Sequence, residues 1–181
     1  MTDITIGADA VADTTVRQAL AGDETAFARL VARHHRSMAR VAYAIAGDIG
    51  TADDAVQNAW AIAWRRLPSL RDPSQVGPWL VAIAANEARQ AVRRSRVRIV
   101  VDISELPIVA TGGDPLDRIA TVDLGRALAR LNPDDRTLLA LRFVAGLDSG
   151  EIATHLKLSP SGVRSRLSRL IERLRSELDH A

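Results

Sequence analysis

The stretch DSGEIATHLKLSPSGVRSRLSRL, residues 148–170, decides how the C-terminal part of this chain folds. Asp148 is a strong N-cap residue, and Glu151 falls in the first turn, where a carboxylate suits the positive end of the helix dipole. The short helix so opened runs to about Leu156. Lys157 and Leu158 form a turn, Ser159 caps again, and Pro160 takes the first position of a second helix, where no backbone N–H is needed. Along that helix Val163, Leu167, Leu170 and Leu174 make one apolar stripe, and Ala153 is small enough for the two helices to pack closely. The spacing predicts a helix-turn-helix. Its second helix carries Ser161, Arg164, Ser165, Ser168 and Arg169 on the side away from the stripe. Such a face fits a DNA major groove, because arginine can fork onto guanine O6 and N7 and serine can meet bases or phosphates. An arginine-rich solvated helix is the plain alternative, but cap, turn and Ser-Pro start coincide here.

Working outward, Asn132-Pro133 reads as a cap and first-turn proline for a helix ending at Gly146, preceded by a helix from about Leu116 to Leu131. From Ile99 to Asp114 the periodicity fails. Pro107, Gly112, Gly113 and Pro115 mark a linker, in which RIVV could make only an unpaired strand. N-terminal to it, Pro78 suits the first turn of a helix reaching roughly Arg98, and PSLRDPSQVGP is a compact loop shaped by its prolines and glycine. A helix opening at Thr51 ends before Pro68. Asp23 caps a long helix to about Ala46, with Gly47 as its stop and with Phe27, Leu30, Val31, Met38, Val41 and Ile45 on one face. Residues 14–20 form a short helix broken at Gly22. The fold class is all-α: an N-terminal extension (1–22), a helical domain (23–98), a flexible linker (99–115) and a second small helical domain (116–181) that holds the helix-turn-helix.

Composition agrees. Of 181 residues 47% are hydrophobic but only 3% aromatic, and the apolar share is mostly Ala, Val, Leu and Ile, which favours helices over sheets. The net charge of +2 suggests no nucleic acid by itself, yet arginines cluster at 93–98 and 164–175. With no cysteine, disulfides and Cys-based zinc sites are excluded. The N-terminus lacks the basic and apolar regions of a signal peptide, and no apolar run is long enough to span a bilayer, so the expectation is a cytoplasmic protein without membrane insertion.

On the helix before the linker, Leu80, Ile83, Ala84, Glu87, Ala88 and Ala91 lie on one side and Asn86, Arg89, Arg93 and Arg96 on the other. The second stripe suits nucleic acid, arginine for the backbone and asparagine for a base edge. It follows a rigid loop able to hold an unstacked base, as single-strand recognition requires.

Taken together, the chain resembles the extracytoplasmic-function (ECF) sigma factors of bacterial RNA polymerase. FARLVARHHRSMARVAYAIAGDIGTADDAVQNAWAIAWRRL and WLVAIAANEARQAVRR are similar to the family's D-x-x-Q and W-L-x-x-I-A-x-N helices. LNPDDRTLLALRFVAGLDSGEIATHLKLSPSGVRSRLSRLIERLRSEL is similar to its promoter-binding domain, with G-L-x-x-x-E-I-A and V-x-S-R-L. The likeness runs from Asp23 to Leu178. It implies an alternative sigma factor with two helical domains that bind core RNA polymerase and promoter DNA, under the control of an anti-sigma factor. By position it places Asp54, Gln57 and Asn58 in the helix that docks on polymerase. Asn86, Arg89, Arg93 and Arg96 then face the −10 element, Asp72, Ser74 and Gln75 line a base-capture loop, and Ser161, Arg164, Ser165 and Arg169 enter the −35 major groove. Two positions depart from the family: Asn58 stands where an acid is common, and Gln90 where an Asp is frequent. With few aromatics in the melting region and Trp79 expected in the core, a narrow promoter choice follows.

Other classes fit less well. The histidines are 34, 35, 155 and 180, and the adjacent pair does not point to one side as an i, i+4 metal pair does. G-x-x-x-x-G-K, G-x-S-x-G and a cysteine nucleophile are all lacking, and Asp53-Asp54 read as first-turn acids answering the dipole. Neither catalysis nor a cofactor or metal is expected. The runner-up is a free-standing helix-turn-helix regulator of the LuxR kind, whose C-terminal pattern is shared. Such a protein would need a ligand-binding or receiver domain, and the N-terminal half lacks the alternating strands of one.

Overall fold

The structure is a computed structural model that describes residues 14–94 and 127–179. Among these residues every regular element is helical. Residues 14–20 form α1, which buries Val16 and Ala19. The helix α2 spans Glu24–Ala46, and the Asp23 carboxylate accepts hydrogen bonds from the N–H groups of Thr25 (2.8 Å) and Ala26 (3.0 Å). It stops at Gly47, whose φ of 78° is left-handed and costs glycine nothing.

The next helix, α3, spans Ile49–Arg66. It opens two residues earlier than expected, because the cap is Asp48: its carboxylate accepts from the Thr51 N–H at 2.7 Å, so Thr51 is helical rather than capping. Asp53 and Asp54 thereby leave the first turn, and the dipole no longer accounts for them. The proline loop folds as two 3-10 turns, Leu67–Ser69 and Pro73–Gln75, and α4 begins at Val76, with Pro78 in its first turn, and runs to Arg94. The helices α2, α3 and α4 pack on one another around Leu30, Met38, Val41, Ile45, Val56, Leu67, Leu80 and the buried alanines 42, 55, 59, 63, 84, 85 and 88. Alanine at so many contacts lets the backbones approach, while Phe27, Val31 and Trp79 remain half-buried at the margin.

The C-terminal group begins with residues 127–130, the described part of α5. Asn132 caps α6, Pro133–Leu139, by accepting from the Asp135 N–H at 2.9 Å. The helix continues through a π turn, Ala140–Val144, whose end is closed by the Arg142 guanidinium donating to the Leu147 carbonyl at 2.9 Å. The helix-turn-helix follows as expected: α7 is Ser149–Leu156 and α8 is Pro160–Asp179. Asp148 and Glu151 close a reciprocal capping box, and Lys157 makes the turn at φ 56°. Val163, Leu167, Leu170 and Leu174 are buried with Leu138, Leu141 and Ile152, while Leu178 is exposed. The two groups are not simply strung along a linker, because α6 and its π turn pack against α2 and α4. The linker, the RIVV stretch and most of the 116–131 helix lie outside the described residues.

The Asp148 cap carries a pH dependence. Backbone N–H groups of Glu151 and Gly150 hold its carboxyl below the ordinary aspartate range. A depressed carboxyl stabilises the fold fully above about pH 4, its unfolded value, and that contribution is lost as the pH falls through the lower folded value. The amide resonances of Gly150 and Glu151 should therefore stay fixed from neutral pH to about pH 4 and move only below it. Movement centred above that value would contradict the cap.

Candidate nucleic-acid interface

On α8 the core takes one stripe, and the opposite face is free. Ser161, Arg164, Ser165, Ser168 and Arg169 are all exposed. The start of the helix is fixed by Ser159, whose hydroxyl accepts from the Gly162 N–H at 3.0 Å and lies 3.1 Å from the Ser161 hydroxyl. Arg169 folds back, its Nε donating to the Ser165 carbonyl at 3.3 Å. Arg166 serves a different end: Nε and Nη2 donate to Asp135 Oδ1 at 2.8 and 2.7 Å, pinning α8 to α6. The result is a positioned cationic helix face whose orientation is set by buried leucines and one half-buried ion pair.

The stripe on α4 is partly occupied. Arg93 Nη2 lies 2.6 Å from Asp134 Oδ2, and Arg89 Nη1 lies 3.3 Å from Asp134 Oδ1. Arg89 Nη2 also donates to Asn86 Oδ1 at 2.7 Å, so three expected nucleic-acid contacts are linked to one carboxylate at the start of α6. Asp134 was invisible to sequence reasoning, since its place in a first turn already explains an acid. Arg96 lies outside the described residues. In the loop just before α4, Asp72 Oδ1 accepts from the Ser74 N–H (3.0 Å) and hydroxyl (2.7 Å), and Gln75 is exposed. Asp72 thus ties this turn of the loop to Ser74, whose hydroxyl is engaged.

A separate groove runs between α3 and α4, lined by Thr51, Asp54, Ala55, Asn58, Glu87, Ala91 and Arg94. Gln57 is exposed on α3 but does not line it. Glu87 and Ala91 were grouped with the core stripe by periodicity; they are half-buried and form the flank of this groove, while Val76, Val81, Ala85 and Val92 complete the core side. Gln90, exposed, donates to Glu87 Oε1 at 3.4 Å.

The described histidines, His34, His35 and His155, sit in structural settings. Burial, and secondarily Arg33, lowers the His34 pKa below its ordinary value, and the ring sits beside Gly77. His35 Nδ1 accepts from Trp60 Nε1 at 3.3 Å, next to the edge-on contacts of Phe27 with Trp60 and Trp64. Burial also lowers the His155 pKa. Among the described residues no three His, Asp or Glu side chains gather as a metal site, and no helix is long and apolar enough to cross a membrane.

Comparison with known proteins places this geometry. Residues 30–98 match the model of Sigma-70 region 2 and residues 121–174 that of Sigma-70, region 4. The chain is 32% identical over 178 residues to the probable RNA polymerase sigma factor RfaY of Xanthomonas campestris, covering 94% of itself and 44% of that longer protein. It is 31% identical over 159 residues to the ECF RNA polymerase sigma factor SigM of Mycobacterium tuberculosis, covering 86% of itself and 78% of the relative. The solved structure of CnrH in complex with the cytosolic domain of CnrY matches with a TM-score of 0.70 at 27% identity, over 93% of this chain and 97% of that one. The region 2 match covers the N-terminal half, the half that a free-standing LuxR-like regulator would not share. This chain belongs to the ECF RNA polymerase sigma factors.

Proposed function

We propose that this chain is an alternative sigma factor that acts through two DNA-reading surfaces and one polymerase-docking helix. The observation that carries the reading is the pairing of a region 2 match over 30–98 with an exposed Ser/Arg face on a correctly capped recognition helix within the region 4 match. Residues 23–98 form the polymerase and −10 unit, and residues 116–181 form the −35 unit. Asp54, Gln57 and Asn58 on α3 engage polymerase, and Asn86, Arg89, Arg93 and Arg96 face the −10 element. The Asp72–Gln75 loop receives an unstacked base, and Ser161, Arg164, Ser165 and Arg169 read the −35 major groove. The sigma itself performs no chemistry: it positions polymerase in the cytoplasm. The structural likeness to a sigma factor in complex with another protein's cytosolic domain supports regulation by an anti-sigma partner.

The test is capture of bacterial core RNA polymerase by the purified chain, followed by run-off transcription from a pooled promoter library. Binding with starts downstream of one shared two-element motif is the expected result. Tight duplex binding without core enzyme, and no capture of core, would overturn the reading. On the promoter so found, Arg169→Ala should weaken use of the −35 element by about 1–3 kcal/mol, the value of a base-edge contact. Wild type should discriminate between matched and scrambled −35 sequences, and the variant should still discriminate, by a margin smaller by that amount. A variant that discriminates as well as wild type would remove Arg169 from the interface.

A further inference from the structure

We infer that α2 carries a third DNA-contacting surface, a ladder of four arginines that grips the phosphate backbone of promoter DNA without reading its sequence. It adds to the proposed −10 and −35 surfaces and rests on the chain acting on promoter DNA. Arg29, Arg33, Arg36 and Arg40 follow one another at intervals of four, three and four residues. At about 100° per residue they fall within roughly 60° of one another around the helix axis. That sector faces away from the buried Met38, Val41 and Ile45. Arg29, Arg33 and Arg36 are exposed and Arg40 is half-buried. Packing and pairing do not account for the ladder: among the described residues none of the four side chains makes a hydrogen bond or an ion pair. The sole acid on α2 is Glu24, in the first turn and too far back to pair with any of them. Successive arginines therefore repel, as like charges three or four residues apart do. None of them occupies the last turn, where the helix dipole would favour a cation. Arg40 Nε is buried without a partner, so the inner end of the ladder keeps an unused donor.

A regularly charged polyanion answers all of these side chains at once. At about 1.5 Å per residue the ladder extends about 17 Å along α2, a length that faces about five phosphates of one DNA strand. An acidic protein surface answers it less well. Beside the arginines stand Ala28, Ala32 and Ser37, small and exposed, with no large apolar anchor of the kind that centres a protein interface. Small neighbours also let a nucleic-acid backbone come close. The groove between α3 and α4, lined by Asp54 and Glu87 against one arginine, calls for a cationic partner, so groove and ladder do not serve the same surface. His34, next to Arg33, packs beside Gly77 at the start of α4. The middle of the ladder thus lies on the helix that flanks the proposed base-capture loop, where promoter DNA would already be held.

The test compares holoenzymes assembled from core polymerase and the full chain, unsubstituted or carrying Arg29→Gln, Arg33→Gln and Arg36→Gln together. These three side chains are exposed and unpartnered, and glutamine suits a helix, so the unfolding midpoint and the capture of core should not change. Binding of a labelled promoter duplex is followed by fluorescence anisotropy as salt rises from about 0.05 to 0.2 M. The slope of log K against log salt should be shallower in the variant by about 2.7, the share of three phosphate contacts. The affinity advantage of the unsubstituted chain should accordingly shrink about fortyfold across that range. Both holoenzymes should prefer the matched duplex over one with scrambled −10 and −35 elements by the same factor, because phosphate contacts carry no sequence information. Arg29→Lys, Arg33→Lys and Arg36→Lys together keep the charges and should retain most of the slope. An unaltered slope in the glutamine variant would overturn the ladder. Loss of core capture in that variant would overturn it too, and would mark an acidic surface of polymerase as the partner. If the slope falls as expected but neither holoenzyme prefers the matched duplex, the backbone grip stands and the proposed −10 and −35 reading fails.

Discussion

Ile152→Ala should destabilise the C-terminal helices by about 2–5 kcal/mol, the cost of truncating a fully buried aliphatic side chain and leaving a cavity. Ile152 is wholly buried in α7, within the same core as Leu138, Leu141, Val163 and Leu167. The group it serves spans only about fifty described residues, and so small a core supplies about 3–5 kcal/mol in all. The substitution is thus comparable with the stability of the whole helix-turn-helix. Denaturant unfolding followed by circular dichroism should show a separate early transition for part of the helical signal, with the remainder unfolding as in wild type. Transcription from a promoter dependent on its −35 element should fail at temperatures where that transition is complete. Capture of core polymerase through the N-terminal helices should persist there. A single unshifted transition would mean that this core is not a separable unit, and that α6 against α2 and α4 carries its stability instead.

What the sequence reveals and what it hides divides between local physics and packing among helices. Caps were legible because their physics is local: Asp23, Asn132, Asp148 and Ser159 each accept a backbone N–H two or three residues ahead. The α8 stripe was equally plain, since four aliphatic residues at helical spacing leave one way to bury them. Asp48 was missed because it directly follows Gly47, the stop of α2, and Thr51 offered a competing hydroxyl. The cost of that misreading was functional: it gave Asp53 and Asp54 a dipole to answer, when they stand beyond its reach. Glu87 was misplaced for a different reason. Periodicity fixes an angle around α4, but whether a residue at the stripe's edge is core or groove depends on where α3 lies, and no pattern within α4 records that. The Arg93–Asp134 pair spans forty-one residues of sequence and the linker. It arises from packing between the two groups, so nothing local announces it.

Asp54→Ala with Gln57→Ala should weaken binding to core polymerase by about 2 kcal/mol or more, roughly thirtyfold, if these residues are among the few that dominate the interface. Both side chains are exposed on α3 and neither makes a hydrogen bond or ion pair that the fold depends on, so the helical signal and unfolding midpoint should stay within about 0.5 kcal/mol of wild type. That separation gives the experiment its meaning, because binding falls for lack of contacts rather than lack of fold. The single variants divide the effect further. Asp54 shares its groove with Glu87 against one cation, Arg94, so the groove is net acidic and its contribution should shrink as salt rises. Gln57 is neutral and lies outside the groove, so its contribution should be insensitive to salt. A salt-dependent loss in Asp54→Asn that Glu87→Gln reproduces would extend the docking surface from α3 across the groove to α4, onto a residue that sequence periodicity had assigned to the core side. Co-purification unchanged in the double variant would remove α3 from the polymerase interface. The acidic groove would then be tested alone through Glu87→Gln, with the −10 face a helical quarter-turn or more away on the same α4.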